Sequence, residues 1–61
     1  MNKDFNYYKD LIKDANISVS SIARDLREFM SYRTVERFFS GHGINKTNEQ
    51  IIINHVNQIT K

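Results

Sequence analysis

The sequence predicts an all-α protein, a compact bundle of four short helices forming a single domain over residues 1–61. Two observations carry that expectation. Apolar side chains return at intervals of three and four residues in four separate stretches, the spacing that lines them up on one face of a helix. Short polar breaks at Asn16-Ile17, at Ser31 and at Gly41-His42-Gly43 stop or restart the pattern between them. Size and composition agree. A chain this short buries only roughly 60 % of its unfolded surface, which leaves a small stability margin. It contains no Cys, so neither a disulfide nor a thiolate metal site supports the core, while 39 % apolar residues at helical spacing are too many and too ordered for a disordered tail.

In the first stretch Phe5, Tyr8, Leu11, Ile12 and Ala15 share one side of a helix of about residues 3–15, with Lys9, Asp10, Lys13 and Asp14 mainly on the other. Tyr7 and Tyr8 read as packing residues. Ser18 then suits an N-cap, because its hydroxyl accepts an amide proton from the first turn. Val19, Ile22, Ala23, Leu26, Phe29 and Met30 follow as the apolar face of a helix of about 19–29. Its outer face carries Ser20, Ser21, Arg24, Asp25, Arg27 and Glu28, with Arg24 and Glu28 at the i,i+4 spacing of a pair that braces a solvated surface, phosphate contact being the alternative. Small Ala23 lets another helix approach closely.

The third helix, about 32–40, starts at Ser31 and stops at Gly41. One unbroken helix from 19 to 40 would spread Phe29, Met30, Tyr32, Val35, Phe38 and Phe39 around most of its circumference, so a bend at Ser31 buries them better. Val35, Phe38 and Phe39 form its apolar face, and Tyr32, Arg33 and Arg37 stand opposite. The fourth helix, about 48–60, is capped by Thr47 or Asn48 and buries Ile52, Val56 and Ile59. Flanking Ile51 and Ile53 exceed what one packed face needs and suggest contact with a second subunit.

The net charge of +2 is modest, but its distribution is uneven. Residues 1–31 balance Lys3, Lys9, Lys13, Arg24 and Arg27 against Asp4, Asp10, Asp14, Asp25 and Glu28. In residues 32–61 Arg33, Arg37, Lys46 and Lys61 face only Glu36 and Glu49, so the excess lies on and after the third helix. No apolar run of about 18 residues is long enough for a membrane span, and Met1-Asn2-Lys3-Asp4 lacks a signal peptide's apolar region, so the expected location is cytoplasmic.

Ser18 through Leu26 and Ser31-Tyr32-Arg33-Thr34-Val35-Glu36-Arg37 resemble the helix-turn-helix of the Cro and lambda-repressor family. Ile22-Ala23 looks like the apolar-plus-small pair of its second helix. The Ser31–Arg37 segment also resembles the Ser-Tyr-Gln-Thr-Val-Ser-Arg recognition segment of the lac repressor headpiece, and Phe38-Phe39-Ser40-Gly41 resembles a common ending of such helices. The resemblance covers residues 18–41 closely and the flanking helices by pattern. It departs in one place: two extra residues lie between Ala23 and Thr34, and the turn Gly is absent.

The resemblance implies a recognition helix whose first turn enters the major groove. Tyr32, Arg33, Glu36 and Arg37 are the expected base contacts, since Arg grips guanine through two acceptors and Glu accepts from a cytosine amino group. Ser20, Ser21, Ser31 and Thr34, with Lys46, Thr47 and Asn48 at the fourth helix, are the expected phosphate contacts, aided by free amides at helix starts. An enzyme is not expected. His42 and His55 have no carboxylate or thiol arrangement around them, no Gly-rich phosphate loop follows a strand, and no nucleophile has a placed base. No metal, cofactor or small-molecule ligand is therefore expected.

These readings lead to a small phage- or mobile-element-type repressor, similar to Cro, that reads double-stranded DNA sequence-specifically. A monomer with about four basic groups binds weakly, whereas a homodimer joined through Ile51 and Ile53 doubles the contacts and reads a palindromic operator. The alternative is a helix-turn-helix-fold antagonist that occupies a repressor or a host protein and needs no DNA. A third possibility is the DNA-binding fragment of a longer regulator.

Overall fold

Each helix begins where a short polar side chain accepts an otherwise unpaired amide proton. In the computed structural model, which describes residues 4–60, Asp4 Oδ1 accepts from the amides of Asn6 (3.0 Å) and Tyr7 (3.3 Å) and opens α1, Phe5–Asp14. Ser18 Oγ accepts from Ser21 at 3.1 Å and opens α2, Val19–Asp25. Ser31 Oγ accepts from Thr34 at 3.4 Å and opens α3, Tyr32–Phe39. Asn45 Oδ1 accepts from Asn48 at 2.8 Å and opens α4, Lys46–Ile59. Among the described residues the fold is all-helical, with no strand.

Two helices stop by the same device. Asn16 (φ 62°) and Gly41 (φ 88°) take left-handed backbone conformations just past α1 and α3. The amides that follow then turn back on the last carbonyls: Ile17 donates to Ile12 (2.8 Å) and Asn16 to Lys13 (3.0 Å), while His42 donates to Arg37 (2.9 Å) and Gly41 to Phe38 (3.3 Å). Both are Schellman motifs. α2 stops differently, as the amides of Phe29 and Met30 both donate to the Leu26 carbonyl, at 2.8 and 3.0 Å, and close a tight turn.

That turn corrects the expected second helix, which ends at Asp25 and not near residue 29. Met30 is buried at 7 % exposure, whereas Phe29, expected on the apolar face, stands 61 % exposed. Reversal of the chain at residues 26–29 turns one of the two adjacent apolar residues inward, and the other must point out. Glu28 accordingly loses helical register with Arg24, and their expected pair does not form. At the other ends the differences are small. Ala15 is the exposed C-cap of α1, Ser40 caps α3, and α4 starts earlier than expected because Asn45 is its cap in place of Thr47 or Asn48. The expected start of α1 at residue 3 lies outside the described residues.

The core draws on all four helices. Ile22, Val35, Ile52 and Val56 are fully buried, and Tyr8, Ile12, Ala23, Leu26, Met30, Phe38 and Phe39 close around them. α3 touches each of the other three helices, and its Phe38 ring lies 6.2 Å from Tyr8 and 5.0 Å, edge-on, from Phe39. Phe5 lies over Gly41, so close that a Cβ at position 41 would sit 2.8 Å from its ring. α3 is thus held along its length and at its end. Among the described residues no helix is long and apolar enough to cross a membrane.

Candidate nucleic-acid interface

α3 has only eight residues, and burying three of them fixes the direction of the rest. With Val35, Phe38 and Phe39 in the core, a helical step of about 100° per residue puts Arg33, Glu36, Arg37 and Ser40 on the opposite side. These four side chains line one shallow depression, which His42 completes from beyond the helix end. All five are exposed.

Tyr32 takes a flank position instead. Its hydroxyl is 3.4 Å from Ser20 Oγ, so the ring lies back along α2 while remaining 51 % exposed. With Ser20, Ala23, Arg24 and Arg27 it lines a second groove, between α2 and the start of α3. Tyr32 of this groove and Arg33 of the first depression are neighbours in the chain.

Their charge is uncompensated at close range. Among the described residues the one ion pair joins Asp25 Oδ2 to His55 Nε2 at 3.1 Å. Arg24, Arg27, Arg33 and Arg37 are therefore without a carboxylate at ion-pair distance, Glu36 included. The four guanidiniums, two at each depression, offer planar, forked donors to an anion.

The other expected contact residues divide by place. Ser20 is exposed beside Tyr32 and Ser21 is half-buried, with its amide already engaged by Ser18. Ser31 and Thr34 are joined by their hydroxyls at 3.2 Å, and Ser31 Oγ also caps the Thr34 amide, so both are occupied in starting the helix. Lys46 and Thr47 are exposed on the first turn of α4, and the Asn48 amide is taken by Asn45. These three line neither depression. Ile51 and Ile53 are half-buried against the core and keep part of their surface outward.

Three features were not anticipated from the chain: Arg27 beside Tyr32, His42 completing the Arg33–Arg37 depression, and the Asp25–His55 pair linking α2 to α4. A signal for the first was present, since Ser20, Ala23, Arg24 and Arg27 follow helical spacing on one face. Nothing local pointed to the third, whose partners are thirty residues apart. Among the described residues no three His, Asp or Glu side chains cluster in a way that would hold a metal ion. Set against family models, curated proteins and solved structures, the chain has no match in any of the three.

Proposed function

We propose that this chain is a sequence-specific double-stranded DNA-binding regulator, a small repressor similar to Cro, in which α2 and α3 act as a helix-turn-helix and α3 enters the major groove. The observation that carries the reading is the α3 surface. Its apolar residues are locked in the core while Arg33, Glu36 and Arg37 stand together outside, free of ion pairs. Arg33, on the first turn, takes a guanine edge, and Arg37, one turn on, takes a second base or a phosphate. Tyr32 stands at the border between bases and backbone. Thr34, Ser31, Ser20 and Ser21 fall on the backbone side, and Lys46, Thr47 and Asn48 supply a separate anchor from α4.

The chain acts as a binding protein and not as an enzyme, in the cytoplasm where its DNA target lies. Two copies joined through the outward surfaces of Ile51 and Ile53 read a palindromic operator. A second reading, a protein-binding antagonist that needs no DNA, has one observation in its favour: Phe29 offers a large apolar surface from the α2–α3 connection.

A titration with random and selected duplexes over a range of salt separates the two readings. On the DNA reading affinity falls steeply with salt, Arg33→Ala loses about 1–3 kcal/mol of discrimination between selected and random sequence, and Arg37→Ala loses either discrimination, from a base contact, or affinity for both sequences alike, from a phosphate contact. A flat salt response with no loss in either variant rejects DNA in favour of a protein partner. Light scattering on concentrated protein tests the dimer, and a monomer at high concentration rejects it.

A further inference from the structure

Phe29 is the most exposed of the large apolar side chains among the described residues. The next two, Tyr32 and Tyr7, each carry a hydroxyl for water to bond, and Phe29 carries none. The fold makes no use of its ring, because Met30 takes the core position beside it and a polar residue would suit the turn as well. The place of that ring is nonetheless fixed. Leu26 and Met30 are buried on either side of the turn, and the Phe29 and Met30 amides both donate to the Leu26 carbonyl. Phe29 thus projects from a turn held at each end, so little order is lost when a partner covers it.

The two residues before Phe29 bring charge of both signs. Arg27 and Glu28 are exposed, and neither belongs to the one ion pair among the described residues, Asp25 with His55. A partner that covers the ring must therefore set an anion against Arg27 and a cation against Glu28. A polyanion or an anionic membrane surface repels Glu28, and a peptide of one charge sign serves only one of the two. A second copy of the same turn, related by a two-fold axis, supplies all three groups: ring on ring, Arg27 on the partner's Glu28, and Glu28 on the partner's Arg27. Three adjacent side chains cover far less than the roughly 800 Å² per partner of a standard stable interface. The contact is accordingly weak and forms at high local concentration.

We infer that the α2–α3 turn is a self-contact surface, at which two copies of this chain pair through Arg27, Glu28 and Phe29. It lies on a different element from Ile51 and Ile53, and it holds whether or not the chain binds DNA.

The test is self-association of the full chain from micromolar to millimolar concentration, followed by sedimentation and by NMR shifts of the backbone amides. Arg27→Glu and Glu28→Arg are each expected to lower self-affinity by about tenfold, since two-fold symmetry turns two surface pairs at once from attraction to repulsion. Mixing the two variants restores it, because each reversed side chain then meets its opposite on the other variant. The double variant Arg27→Glu/Glu28→Arg keeps the net charge and is expected to self-associate like wild type. With one variant labelled and the other not, the shifts fall on residues 26–30, which separates this contact from one through α4. Phe29→Ser is expected to remove those shifts while the circular dichroism melt stays at the wild-type temperature, as the ring is exposed. A single reversal that self-associates like wild type overturns the inference, as does a mixture or a double variant no tighter than the single reversals. Shifts confined to α4 do the same. A wild-type chain with no concentration-dependent shifts at residues 26–30 also overturns it and leaves Phe29 to a different protein. None of these outcomes bears on the DNA reading, whose test varies Arg33 and Arg37 at dilute concentration.

Discussion

Gly41 answers two separate demands. Its φ of 88° lies where a side chain clashes with its own backbone, and the space where a Cβ would go is filled by the Phe5 ring at 2.8 Å. The first demand costs a non-glycine residue about 1–2 kcal/mol, and the second forces the ring to move. Gly41→Ala is therefore expected to destabilise the fold by at least about 1–2 kcal/mol, lowering the melting temperature by roughly 4–8 °C per kcal/mol. A melt within experimental error of wild type would contradict this account. Gly43 has open space around the corresponding position and no left-handed backbone, so it is the control. That Gly41 ends a helix was legible in the chain, because Gly follows the last apolar residues of α3 directly. Its dependence on Phe5 was not, since only the fold brings α1 over that turn. Phe29 shows the same limit in reverse. Its spacing from Ile22 and Leu26 fits a buried face, but spacing assumes that the helix continues, and the turn at residues 26–29 ends that assumption.

At the scale of the element, α3 owes its start to a single side chain. No Gly or Pro separates α2 from α3, and the amide that Ser31 Oγ caps belongs to Thr34, whose hydroxyl also meets Ser31. Ser31→Ala is expected to cost about 1 kcal/mol, measured by denaturant titration, while Ser31→Asp restores most of it by supplying another acceptor. A neutral Ser31→Ala would mean that the tight turn at Leu26 alone separates the two helices. Starts were more legible than ends across the chain. Ser18 and Ser31 announce themselves as short acceptors before an apolar run, but Asn45, Thr47 and Asn48 all precede the isoleucines and only the backbone decides which one caps. The face of α3 was legible apart from Tyr32: three apolar residues at helical spacing determine where Arg33, Glu36 and Arg37 must point, whereas Tyr32, expected beside them, turns to the flank toward Ser20. The groove beside it was less so, because its other wall belongs to α2 and is completed by Arg27 from the turn.

At the scale of the whole molecule, 61 residues support a total stability of about 3–9 kcal/mol on the usual scale per residue, and α2 is the element with least claim to form alone. Its seven residues make about two turns, well under the length at which isolated helices are stable in water. Side chains from elsewhere hold both its ends: Tyr32 of α3 meets Ser20 at 3.4 Å, and His55 of α4 meets Asp25 at 3.1 Å. Between them Ile22 and Ala23 are buried. The consequence concerns how the molecule opens. A short helix tethered at one end frays from the other, but a helix tethered at both ends has no free end from which to peel. The amides of α2 that donate within the helix are thus expected to exchange with deuterium in step with those of α3 and α4, as one cooperative unit that opens only when the domain unfolds. Replacing His55 with Ala frees the Asp25 end, and exchange at Leu26 and Asp25 should then run ahead of the core. Native-state exchange followed by NMR reads this directly, and early exchange of α2 in the wild-type protein would show that the two tethers do not bind it into the whole.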